Sequence, residues 1–119
     1  MQNANARGKI GERLAARDLR DNGYEIIGAN FYTRFGEIDI IATKGKYIAF
    51  VEVKTRAENG LGTPREAVGF SKQEKLRNTA LIYLSKNETK LQPRFDVIEI
   101  ILDNNDVQKS INHIENAFE

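Results

Sequence analysis

Three charged residues interrupt two otherwise apolar runs. In "GEIDII" (residues 36–41) Asp39 lies between isoleucines, and in "FVEVKTR" (residues 50–56) Glu52 and Lys54 alternate with valines. A charge within an apolar strand is unfavourable unless it is paired, hydrogen-bonded or bound to an ion. Alternation along a strand places Glu52 and Lys54 on one face with Ile48 and Phe50. Whether Asp39 joins them depends on the turn around Gly45. An even loop (Gly45-Lys46, or Lys44 to Tyr47) sets Asp39 opposite Glu52 and Glu37 opposite Lys54, with Cβ atoms about 4.5–5.5 Å apart. A three-residue loop would send Asp39 and Glu52 to opposite faces.

In the even register Glu37 and Lys54 make an ordinary cross-strand ion pair, whereas Asp39 and Glu52 repel, the more so as they are buried. A hard divalent cation, Mg²⁺ or Mn²⁺, relieves that conflict by accepting oxygens from both and carrying water. A lysine beside it would orient that water or stabilise charge developing on a phosphate oxygen. Two carboxylates and a lysine thus suit metal-assisted phosphodiester hydrolysis. Glu-x-Lys alone is weak evidence, because alternating charges are common on solvated sheet faces; the second acidic residue inside apolar flanks strengthens it. Glu12 is a third candidate. It shares a helical arc with Gly8, Ala15, Ala16 and Leu19, small enough to lie close on a sheet. From there it either reaches water at the rim or points at the same site.

These residues need a scaffold. Residues from about 5 to 22 form a helix closed by Asn22-Gly23. Residues 24–34 form a strand, and "GEIDIIATK" and "KYIAFVEVKT" two more, joined as a hairpin at Gly45. Thr63-Pro64-Arg65-Glu66 and Ser71-Lys72-Gln73-Glu74 both resemble helix starts, predicting a short turn and then a helix from Ser71 to about Ser85. Its buried stripe is Leu76, Ala80, Tyr83 and Leu84. "RFDVIEIIL" (residues 94–102) is a fourth strand, and "INHIENAF" forms either a strand and turn or a docked helix. The order αβββαβ implies an α/β protein, one mixed sheet flanked by helices.

The 119 residues suit a single domain spanning residues 1–119, and 40% hydrophobic with 29% charged residues suits a folded chain. Zero cysteines exclude disulfides and thiolate metal sites. No run is long and apolar enough to span a membrane, and the first residues lack an apolar signal region, so cytoplasmic localisation is expected. Net charge is +1, but residues 1–90 hold 16 Lys/Arg against 11 Asp/Glu and residues 91–119 hold 2 against 6. A basic body with an acidic tail accommodates a polyanion, although many solvated surfaces share that pattern. The cations expected beside the carboxylates are Arg34, Arg56, Arg65, Lys72 and Lys75. "NGLGTPRE" lacks the Gly-Lys-Ser/Thr of a phosphate loop. His113, the single histidine, fits a surface or a satisfied core position better than a catalytic one.

Several stretches together, "GERLAARDLRDNGYEIIGANF", "FGEIDIIA", "FVEVKTR", "PREAV" and "RFDVIEI" with "HIENAF", resemble the YraN family of small bacterial proteins, over nearly the whole chain. That family is similar in fold to archaeal Holliday junction resolvases of the PD-(D/E)xK nuclease superfamily. The resemblance implies a restriction-endonuclease-like core. It matches Asp39 to the metal-binding aspartate, Glu52 and Lys54 to the Glu-x-Lys pair, and Glu12 to the helix glutamate of resolvase-like members. Two readings follow: a Mg²⁺- or Mn²⁺-dependent nuclease acting on DNA, including branched or structured DNA, or a non-catalytic nucleic-acid-binding module that kept the fold. Either is compatible with a homodimer and involves no membrane.

Overall fold

A computed structural model describes residues 4–58 and 68–119. Helix α1 (Ala4–Asp21) sets Ala15 and Leu19 one turn apart and fully buried. It ends because Gly23 takes φ +88°, where other residues are strained, letting the Gly23 N–H reach Arg20 O and the Tyr24 N–H reach Leu19 O. Lys44 Nζ then bonds the carbonyl of Asn22 at 2.7 Å, a cation at a helix C-terminus.

Strands β1 (Glu25–Thr33), β2 (Gly36–Lys44) and β3 (Tyr47–Ala57) form an antiparallel meander, helix α2 (Phe70–Lys86) follows, and β4 (Gln92–Leu102) lies parallel to β3. Strand β5 (Gln108–Phe118) pairs antiparallel with β4, giving a five-stranded mixed sheet in the order β1-β2-β3-β4-β5. This is the αβββαβ core of a restriction-endonuclease-like α/β fold with one strand added. Helix α1 covers one face, over Ile40, Ala42, Ala49, Val51, Ile98 and Ile100. On the other, Leu76 and Ala80 of α2 pack on Ile38, Ile41, Ile48, Phe50 and Val97. No helix among the described residues is long and apolar enough to cross a membrane.

One expectation changes. Helix α2 starts at Phe70 with Gly69 as its N-cap and without a side-chain cap, so Ser71 lies inside the helix. The tail is a strand. The Thr63–Glu66 turn, with Arg65, falls outside the described residues. His113 is partly buried and hydrogen-bonded: its Nε2 lies 2.8 Å from Asp96, which also receives Arg94 (2.9 and 2.8 Å) and the Asn116 N–H (3.0 Å). Burial works to raise the Asp96 pKa, but the hydrogen bonds from His113, Arg94 and Asn116 outweigh it and hold the carboxyl below its ordinary range. This network fastens β5 to β4.

Gly11 marks where α1 comes closest to the sheet. A Cβ there would stand 1.9 Å from Thr55 Oγ1 and about 3 Å from its Cβ and Cγ2. Alanine normally stabilises a helix interior over glycine by roughly 0.5–1 kcal/mol. Here Gly11→Ala is expected to destabilise by about 1–3 kcal/mol instead, as overpacking does. Urea denaturation checks this, read together with Gly11→Ala/Thr55→Ala, which should recover most of the loss.

Candidate active site

The hairpin turn is Gly45-Lys46, with Lys44 paired to Tyr47 and Ile40 to Val51. That is the even register, and it brings Asp39 to Glu52. The pairing of β2 with β3 runs only as far as Ile40 and Val51. Beyond it the Asp39 carboxylate takes the strand's place, accepting the Val53 N–H at 2.8 Å.

A change of face explains this geometry. Ile38 and Ile40 are two apart and by alternation should share a face, yet Ile40 packs in the α1 cluster and Ile38 in the α2 cluster. The opposing strand switches with it: Ala29, paired with Ile40, lines a groove beside α1, whereas Phe31, paired with Ile38, packs on the α2 side. Between those pairs lie Asp39 and Asn30, the latter at φ +50°, a conformation asparagine tolerates better than most residues. Asp39 therefore points along the sheet rather than off it, toward the diverging end of β3.

The resulting cavity, of about 360 Å³, is lined by Glu12, Glu37, Asp39, Glu52 and Lys72, with Arg7 and Thr55 among the remaining residues. Asp39 is half-buried and Glu52 is buried. Burial, then the Glu52 charge, pushes the Asp39 carboxyl up to about 8, although the Val53 N–H pulls it down; Asp39 and Glu52 also share a hydrogen bond. Glu12 lines the same cavity and raises the Asp39 pKa further by its charge, so it points at the site rather than at the rim. Its Oε1 accepts the Asn30 side-chain amide at 3.2 Å, and that amide also bonds Glu37 Oε2 at 2.9 Å. Asn30 thus positions two carboxylates. The only sign of it in the sequence was a residue tolerant of left-handed backbone inside a β-rich run.

The basic residues divide. Lys72 reaches the site, its Nζ 3.4 Å from Glu52 Oε2, with its side chain about half exposed. Lys54 follows Glu52 on the same strand but lies outside the cavity lining; its lateral neighbour on β4 is Glu99. The expected opposition of Glu37 to Lys54 does not form within the paired stretch, and Glu37 is held by Asn30 instead. Arg56 Nε is 3.5 Å from the buried Glu99, a partner that sequence reasoning missed. Arg34 lies in the β1–β2 turn over the Phe35 ring, and Lys75 is exposed on α2 beside Gly36. Among the described residues no three acidic or histidine groups stand close enough to hold one ion together. Asp39 and Glu52 nevertheless fit a hard cation by their chemistry: two oxygen donors, held against their mutual repulsion by the fold.

The profile of "Uncharacterised protein family UPF0102" matches residues 11–100. The chain belongs to the UPF0102 family. A UPF0102 protein of Acetivibrio thermocellus is 50% identical over 98% of this chain and 93% of its own length. One from Caldanaerobacter subterraneus subsp. tengcongensis is 46% identical over 93% of each. One from Thermodesulfovibrio yellowstonii is 49% identical over 93% of this chain and 94% of its own. The UPF0102 profile spans α1 from Gly11 through β4 to Ile100, so it takes in Glu12, Asp39, Glu52 and Lys72.

Proposed function

We propose that this UPF0102 chain is a divalent-metal-dependent nuclease that hydrolyses phosphodiester bonds in DNA, including branched or structured DNA. The observation that carries the reading is the Asp39–Glu52 pair: two carboxylates forced together at the open end of a sheet, with a lysine ammonium against one of them. With both groups ionised such an arrangement opposes folding unless a cation offsets the repulsion. Asp39 and Glu52 would hold Mg²⁺ or Mn²⁺, with Glu12 turned toward the same space. The bound cation would supply Lewis acidity toward the phosphate and a more acidic water. Lys72, 3.4 Å from Glu52, neutralises that carboxylate in the metal-free protein and would be free to reach a phosphate oxygen with the cation bound. Lys54, one strand repeat beyond Glu52, extends an ammonium along the same face to stabilise charge that develops on the phosphorus oxygens. Arg34 and Lys75, and Arg65, whose position is not described, supply further grip on the polyanion, as does Arg56, whose guanidinium also pairs with Glu99.

A second reading rests on the missing third ligand among the described residues: a module that binds nucleic acid without cutting it. The test is a titration of Mg²⁺ and Mn²⁺ against single-stranded, duplex, flap and four-way-junction DNA. The nuclease reading expects cleavage of at least one substrate that EDTA stops and that Glu52→Gln abolishes. Binding without cleavage on every substrate would establish the second reading instead.

Lys72 yields a separate prediction. Because its ammonium competes with the cation for Glu52, Lys72→Ala should tighten Mn²⁺ binding several-fold while weakening DNA binding. Calorimetric titration of Mn²⁺ and fluorescence anisotropy of a labelled oligonucleotide measure the two effects. Parallel losses in both would contradict the exchange of partners.

A further inference from the structure

Beside the carboxylate cavity runs a longer groove between α1 and β1, of about 1060 Å³, which shares Gly8, Glu12 and Glu37 with it. Its walls differ in character. The helix side carries Lys9, Arg13 and Arg20, all exposed, Arg13 one turn beyond Lys9 and Arg20 two turns beyond Arg13. The strand side carries Tyr32, 71% exposed, beside Glu37, its partner across β1 and β2. The floor between them is small and apolar, from Ala16, Ala29, Ile26 and Ile40. Glu12 and Glu37 are the acidic residues of the lining, and they lie where groove and cavity meet.

Tyr32 is an aromatic ring left exposed on the edge strand β1, a platform on which a base can stack. The ring and the three cations line one groove, and the groove meets the proposed reaction site at Glu12 and Glu37. A backbone of phosphates along Lys9, Arg13 and Arg20 with a base on Tyr32 satisfies both walls at once, as in grooves that hold single strands. In a duplex the bases are already paired and stacked on one another, so none is free to lie on that ring. We infer that the α1–β1 groove binds a single-stranded DNA segment that flanks the scissile bond, with Tyr32 stacking one base. The inference rests on the nuclease reading for its direction of entry, and it assigns the substrate class: DNA with an unpaired arm next to the cut.

Two arms test it separately. In the first, a short oligothymidylate carrying one 5-bromouracil is irradiated with the full chain, and the crosslinked peptide is identified by mass spectrometry. This arm needs no cleavage. Crosslinking to Tyr32 is expected, with Tyr32→Ala lowering oligonucleotide affinity about tenfold, as loss of one base stack does, and Tyr32→Phe retaining most of it. Arg13→Ala/Arg20→Ala should reduce the slope of log affinity against log salt by about 0.7 for each phosphate that the variant no longer neutralises. Crosslinks confined to other residues, or affinity unchanged by both sets of variants, would overturn the groove assignment. The second arm compares cleavage of a flapped duplex with that of the blunt duplex. The Tyr32 and arginine variants should lose cleavage of the flapped DNA and erase the preference for it. An unchanged preference in those variants overturns the groove assignment while leaving the nuclease reading intact. Crosslinking at Tyr32 without cleavage of any DNA retains the groove as a single-strand site and removes the nuclease reading.

Discussion

Asp39→Asn is expected to raise the melting temperature of the metal-free protein and to abolish metal-dependent cleavage. Burial and the Glu52 charge hold the Asp39 carboxyl pKa far above its ordinary 3.8, at about 8. Between those values the unfolded chain has lost the proton that the folded chain keeps. Folding stability contributed by Asp39 is therefore complete below about pH 4 and falls as pH rises toward 8. Asparagine removes the charge yet can still accept the Val53 N–H, so the gain over the parent protein should grow from pH 5 to pH 8. A divalent cation acts in the opposite sense. Its binding requires the ionised carboxylate, so Mn²⁺ should stabilise the parent more at pH 8 than at pH 6. At a hundred times its dissociation constant, a ligand of the native state adds about 2.7 kcal/mol. Asp39→Asn should lose that increment. Thermal melts across pH with and without Mn²⁺ measure every part of this, and a parent protein whose melting is indifferent to metal would refute it.

Lys54→Ala should reduce metal-dependent cleavage by on the order of 10²-fold, near 2.7 kcal/mol of transition-state stabilisation, with little change in DNA affinity. Lys54 lies about 6–7 Å along β3 from Glu52, within the reach of a lysine stem but outside the cavity lining. An ammonium so placed meets the substrate chiefly when negative charge builds on the phosphate, and interactions stronger in the transition state change rate more than binding. Lys72, already at the Glu52 carboxylate, should show the converse pattern, with affinity falling more than rate. Single-turnover kinetics separate the two. If Lys54→Ala changes affinity alone, the assignments of the two lysines exchange.

The parts of this protein governed by local rules were legible in its sequence. Gly23 had to end α1 because the chain there needs positive φ, and Gly45-Lys46 set an even hairpin that brought Asp39 to Glu52. Glu12 was ambiguous because helical spacing gives an arc but not what the arc faces. The exchange of faces at Asn30 and Asp39 was invisible, since it violates the alternation on which strand reading depends. With it were hidden the role of Asn30 and the failure of Glu37 to meet Lys54. The Arg56–Glu99 pair joins strands brought together by the parallel crossover, which sequence spacing cannot register. Cap chemistry misled at Ser71, where Gly69 begins the helix without a side-chain bond. The tail was undecided for a similar reason: β5 is a strand because Asp96 on β4 collects His113 and Asn116 from it.

Whether Asp39 and Glu52 together hold a divalent cation is tested most directly by the anomalous scattering of Mn²⁺ in crystals of the chain. One Mn²⁺ is expected in the cavity at the end of β3, coordinated by an oxygen from each carboxylate. The same site should be empty in Asp39→Asn crystals grown alike. Density for Mn²⁺ only elsewhere, or an Asp39–Glu52 pair still sharing its hydrogen bond at saturating Mn²⁺ and pH 8, would contradict it.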